Sequence, residues 1–336
     1  MSAHQLRERI RVAHCAGLAA LVALTLLLRV TPSRADGPDK SPTLRHAIKF
    51  LTHEVPDWPR QHGCCSCHNN GDGARALLVA RRHGWDVPDA ALVDTRQWLL
   101  TPERWQQSGG NSDYNDKRLI VVQFASALAN VVADDSAEAA AAAALQSAAR
   151  DLAGLQFPDG SWAFEADGQV GSPIGYGRPL MTVVARNTLK SADPRKFAAQ
   201  IDRANSWLLA FEPRTVLDSA AAILGLADSP DSDAATRIKS PLEIIKRGQS
   251  PRGGWGPYEI APPEPFDTAI VLLALSRLEQ NETNREMIAA GRRFLETTQL
   301  PDGAWPATTR PSGIESYQQK MSTTAWATIA LLETDG

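Results

Sequence analysis

The chain has 336 residues, a formal net charge of −3, 22% charged residues and 43% hydrophobic ones. That balance carries no basic excess for nucleic acid and no feature that suits an acidic polymer, while a length of this order can bury a large core in one or two domains. Of four cysteines, three stand at positions 64, 65 and 67, too closely spaced to staple a fold, which leaves chemistry as the reason for keeping them.

At the amino end, Arg7, Arg9 and Arg11 precede an apolar run from Cys15 to Leu28, and Ser33 and Ala35 are small residues of the kind a signal peptidase reads. The run is about 14 residues, short of the roughly 20 that a membrane helix needs. It predicts a signal peptide over residues 1–35 and a secreted or periplasmic mature chain. An uncleaved anchor is the competing reading and would be the sole contact with a membrane. Cys15 lies ahead of the apolar stretch and so is badly placed for a lipoprotein.

The stretch "GCCSCHNN" over 63–70 contains Cys-x-x-Cys-His, with Cys64, Cys67 and His68 in register. This spacing reads as attachment of a c-type haem. Two thiols one helical turn apart add to the two vinyl groups of a porphyrin, and the next imidazole, His68, faces the iron. Two alternatives stand beside it: a zinc site, which would need further ligands from elsewhere, and a Cys64–Cys67 disulfide, as in a redox-active Cys-x-x-Cys pair. For the sixth iron position Met321 is the candidate, with an ordinary apolar plug as its other reading.

Apolar spacing along the rest of the chain predicts about twelve helices in six pairs. The first members are 43–55, 89–100, 136–155, 194–211, 234–249 and 283–298. The returning partners, 73–82, 117–132, 178–189, 214–227, 266–278 and 323–332, are the more apolar, as in "TAIVLLAL" and "TAWATIALL", and are expected inside. Between pairs, "LQFPDGSWAF", "GQSPRGGWGPY" and "TQLPDGAWPA" repeat Gln, a Gly turn and Trp. The Gln and turn are expected to cap the preceding helix, with Trp162, Trp255 and Trp305 packed over it.

These repeats resemble those of squalene and hopene cyclases and of protein prenyltransferase β subunits. The resemblance implies an all-α fold, an α/α toroid of two concentric helical rings, as one domain over 36–336 with the Cys-x-x-Cys-His loop at 63–70. The cysteine stretch, followed by "RRHGWDV", is also similar to a bacterial group of secreted, cyclase-like repeat proteins with a Cys-x-Ser-Cys-His motif. Longer loops lead into the returning helices and gather on one face, where the helix amino ends give a partly positive field.

Family chemistry is not reproduced at the residue level. The cyclase D-x-D-D motif is missing, and no cysteine follows Cys67 and no histidine follows His83, so the prenyltransferase zinc set is missing too. Asp267 in "PFDTAI" has the setting of a catalytic acid, with N-capping as its plainer reading. Asp113, Asp116, Glu165, Asp167, Glu259 and Glu264 are further loop carboxylates for a lyase-like or glycosidase-like enzyme. The leading expectation is an exported cyclase-like toroid with a covalent haem c, serving electron transfer or sensing without cyclase chemistry. It would meet a redox partner or a lipid or other small molecule in its cavity. A cyclase-like or lyase-like enzyme and a ligand-binding scaffold without haem are the alternatives.

Overall fold

The computed structural model describes residues 41–107, 117–134, 139–164, 169–229, 231–308, 310 and 315–335. The expected signal peptide and the carboxylates Asp113, Asp116, Glu165 and Asp167 lie outside the described residues. Within residues 41–335 there are twelve α-helices and no strand among the described residues. They are α1 (Pro42–His62), α2 (Ala74–Arg82), α3 (Val93–Leu99), α4 (Lys117–Asp134), α5 (Ala139–Gly154) and α6 (Arg178–Ala192), then α7 (Ala198–Ala210), α8 (Val216–Leu226), α9 (Ala234–Gly248), α10 (Pro265–Ser276), α11 (Glu282–Thr298) and α12 (Tyr317–Glu333). A π-helical segment, Cys67–Gly73, runs directly into α2.

The even-numbered helices form a closed inner ring in chain order, with α12 returning to α2, and the odd-numbered helices pack outside them, α9 against α8 and α11 against α10 rather than against the inner helices that follow them. Sequence explains the division. Almost every residue of α8, α10 and α12 is apolar or small and buried, whereas α1, α9 and α11 bury one stripe and expose charged residues on the other side. Thr215, Asn281 and Ser316 cap their helices through side-chain oxygens. Ser316 and Gln319 form a reciprocal capping box, which starts α12 six residues ahead of the position expected from apolar spacing alone.

The repeated turns close the ring. In each, the indole N–H caps the preceding outer helix: Trp162 donates to Leu152 O at 2.9 Å, Trp255 to Ile245 O at 2.8 Å and Trp305 to Leu295 O at 2.8 Å. The glutamine, expected to cap the same helix, braces the turn and reaches onward. Gln156 Nε2 bonds Gly160 O and Gln200 O, each at 2.9 Å, and Gln299 Nε2 bonds Gly303 O and Thr43 O, each at 2.9 Å. The last repeat therefore grips the first outer helix. Gly303 has φ +93 and lies against the backbone of His46, where a Cβ would strike the carbonyl.

Candidate functional site

The cysteine motif is not the open loop expected at 63–70. Gly63 ends α1 in the left-handed conformation, Ser66 is extended, and the helical segment begins at Cys67, so no continuous helical turn links Cys64 to Cys67. Ser66 Oγ accepts from the backbone N–H of His68 at 3.2 Å and of Asn69 at 3.4 Å. Asn69 and Asn70 tie the segment to the outer helices α1 and α3 and to the start of α12. Asn69 Nδ2 donates to Glu54 O at 3.1 Å and to Tyr317 Oη at 2.7 Å, and Asn70 Nδ2 donates to Val55 O at 3.0 Å and to Thr95 Oγ1 at 2.8 Å. π-helical turns of this kind concentrate at functional sites.

The effect is to turn His68 inward. Its Nδ1 lies 2.9 Å from Ser322 Oγ, and Ser322 Oγ in turn donates to Asp72 Oδ2 at 2.7 Å. With its one proton committed to Asp72, Ser322 accepts from Nδ1–H, and Nε2 is left with the lone pair. Burial lowers the His68 pKa to about 4, so the ring stays neutral near pH 7.

Asp72 is the hub of this interior cluster. It is 1% exposed and accepts from the Tyr176 hydroxyl, from Gln123 Nε2 at 2.9 Å and from Ser322. The guanidinium of Arg75 lies 3.6 Å from it. Burial raises the Asp72 carboxyl above its ordinary range, against the pull of Arg75 and of the three donors. Trp326 completes the wall, with Arg75 stacked on it at 4.0 Å and Tyr176 and Phe266 meeting it edge-on at 5.4 and 6.4 Å. Sequence reading passed over Asp72, Arg75, Gln123, Tyr176 and Ser322.

The three thiols are free. Burial pushes Cys67 of the Cys-x-x-Cys pair up to about 12, as it does the intervening Cys65, which suppresses the Cys67 thiolate. Among the described residues no three His, Cys, Asp or Glu side chains converge as a metal site. The donor set offered is two thiols and one oriented imidazole, a set that fits a covalently attached haem. Met321 is fully buried, and its Cε lies near Gly73.

Asp267 is also fully buried, but it stands inside α10, whose N-cap position is Glu264. α10 begins without a side-chain cap, and the Asp267 carboxylate takes Nη2 of Arg310 at 2.9 and 3.0 Å. Arg310 also holds Glu264 at 2.9 Å and Gly171 O at 3.3 Å, joining three loops. Burial still pushes Asp267 up to about 7. Glu259 pairs on the surface with Arg247.

No protein-family model matches the chain. Lanosterol synthase of Saccharomyces cerevisiae is 32% identical over 110 residues, which span 31% of this chain and 15% of that protein. Among solved structures, a variant of the type II terpene cyclase MstE from Scytonema, bound to its substrate geranylgeranyl dihydroxybenzoate, matches at TM-score 0.59 and 14% identity over 87% of this chain and 97% of that one. A protein from Actinoplanes matches at 0.61 and 17%, over 89% and 100%. A possible member of the GH105 family from Klebsiella pneumoniae matches at 0.54 and 12%, over 88% and 94%. The chain has the α/α-toroid fold that these proteins share. In fold it resembles type II terpene cyclases, and over 110 residues its sequence resembles lanosterol synthase. No described helix is long and apolar enough to cross a membrane.

Proposed function

We propose that this toroid is exported and carries one c-type haem, which Cys64 and Cys67 would hold covalently and His68 would ligate, and that it serves electron transfer or sensing in the cell envelope. The observation that carries the reading is the chain His68 Nδ1, Ser322 Oγ, Asp72 Oδ2 at 2.9 and 2.7 Å. A histidine that ligates a metal through one ring nitrogen commonly gives the other N–H to an oriented acceptor, which fixes its tautomer and rotation. The haem supplies reversible one-electron chemistry when bound. The chain holds His68 neutral, fixes its ring and keeps bulk water from Asp72. Chain matured with a haem-attachment system should give a pyridine haemochrome spectrum and a mass gain of one haem, both lost in the Cys64→Ser/Cys67→Ser double variant. A colourless wild-type chain under those conditions overturns the reading.

A second reading has its own observation. Asp72 is a buried acid of raised pKa at the start of an inner helix, near Tyr176, Trp326 and Phe266. A carboxylic acid kept protonated in such surroundings can protonate an alkene, and a geranylgeranyl aromatic acid, the substrate class of MstE, is the first compound to try. The three donors aimed at Asp72 favour its anion, which places this reading second. Cyclised product that disappears in Asp72→Asn would bring it to the front, and no turnover by the wild type would remove it.

A further inference from the structure

Arg75 is the least satisfied charged group of the interior. It is 6% exposed, and its Nη1 donates to Ser126 Oγ at a long 3.3 Å. Nε and Nη2 are buried without a hydrogen-bond partner. The nearby Asp72 Oδ1, at 3.6 Å from Nη2, is beyond bonding range and already takes the Tyr176 hydroxyl. The two idle donors are not an arbitrary pair. Nε–H and Nη2–H project in parallel from one edge of the guanidinium, the edge that matches the two oxygens of a carboxylate. The stacked Trp326 adds a third idle donor, because its Nε1 is also buried without an acceptor. Buried donors left unmet are costly and rare enough to require an account.

The surroundings say what the rest of a ligand would meet. Ser126, Val184, Leu273 and Ile329, from the middle of the inner helices toward their carboxyl ends, retain 6 to 8% exposure. Asp72, Tyr176 and Phe266, nearer the amino ends, retain 1% or less. His68, Leu119 and Ile120, at the amino ends, retain a similar 6 to 7%, so neither side is favoured, and most of these slightly exposed residues are apolar.

We propose that Arg75 and Trp326 form a carboxylate-binding site within the inner ring, filled by a molecule with an apolar body and a carboxylate head. This assignment stands apart from the haem reading, although a haem propionate has the same chemistry and could be the carboxylate concerned. The test titrates dodecanoate and dodecanol, equal in chain length, into the full chain made with and without attached haem, following tryptophan fluorescence. Dodecanoate should bind at least about tenfold more tightly than dodecanol, and Arg75→Lys, which keeps the charge but loses the fork, should abolish most of that preference. Preference in both forms identifies a free carboxylate ligand, and preference in the haem-free form alone identifies a propionate at the fork. Equal affinities for acid and alcohol, no binding to either form, or an unchanged preference in a folded Arg75→Lys variant would overturn the proposal.

Discussion

The imidazole of His68 and the hydroxyl of Ser322 meet at 2.9 Å across 254 positions of sequence. With the bonds of Ser322 to Asp72 and of Asn69 to Tyr317, that contact joins the first inner helical segment to the last. Ser322→Ala removes the acceptor of His68 and one donor to Asp72, both buried. Urea unfolding should register a loss of about 1–3 kcal/mol. In the haem-bearing chain the same variant should also shift the midpoint potential, and an unchanged potential would show that the hydroxyl does not orient the ligand.

His68 and Asp267 tilt the pH dependence of stability in opposite senses. The His68 pKa falls from 6.5 to about 4 on folding, so the unfolded chain binds the extra proton, and stability is lost as pH drops through that window. The Asp267 pKa rises from 3.8 to about 7, so the folded chain binds the extra proton, and stability is lost as pH climbs from about 4 to 7. Asp267→Asn deletes the second slope and leaves the first. On acidification across that range the variant should lose about 3 kcal/mol more than the wild type. Parallel urea-derived curves would show that Arg310 keeps Asp267 ionised throughout.

Gly303 and Gly63 both have positive φ, at +93 and +66, yet they should respond differently to alanine. A Cβ at Gly63 meets nothing, whereas one at Gly303 strikes the His46 carbonyl. Gly63→Ala should cost about 1 kcal/mol and Gly303→Ala about 3 kcal/mol. Denaturation midpoints of the two variants check the order.

Trp255→Phe removes the N–H that caps Ile245 O at 2.8 Å and leaves space in a fully buried position. The expected loss is about 2–3 kcal/mol, read by thermal or urea unfolding. A neutral result would mean that the indole is packing material and not a helix cap.

The rings were legible because helical periodicity and the Gln, Gly and Trp turns are local signals. All twelve expected helices appear, with ends shifted by up to seven residues, but the outer helices α9 and α11 pack on the inner helices before them and not on their expected partners. Two local readings misled. The stretch 63–70 reads as a loop, but from Cys67 it is helical and closely packed: a Cβ on Gly71 would press on Gln123 and one on Gly73 on Val55. Asp267 looks like an N-cap because its long-range partner Arg310 lies 43 positions away. The Asp72 cluster was illegible for the same reason, since its members come from separate helices that only ring closure brings together. One clue was present. Gln123 interrupts the apolar run "LIVVQFASAL" of α4, and a lone amide in a helix buried on every side needs a polar neighbour.

The grip of Gln299 on Thr43 O, described above as the closing turn, also bears on how many units the protein tolerates. An open solenoid accepts extra repeats at its ends, because each new unit docks on the previous one. Here the sixth pair already occupies the surface on which a seventh would dock. Duplicating a helical pair must break that joint, whereas rewiring the order in which the same six pairs are threaded would leave every neighbour in place.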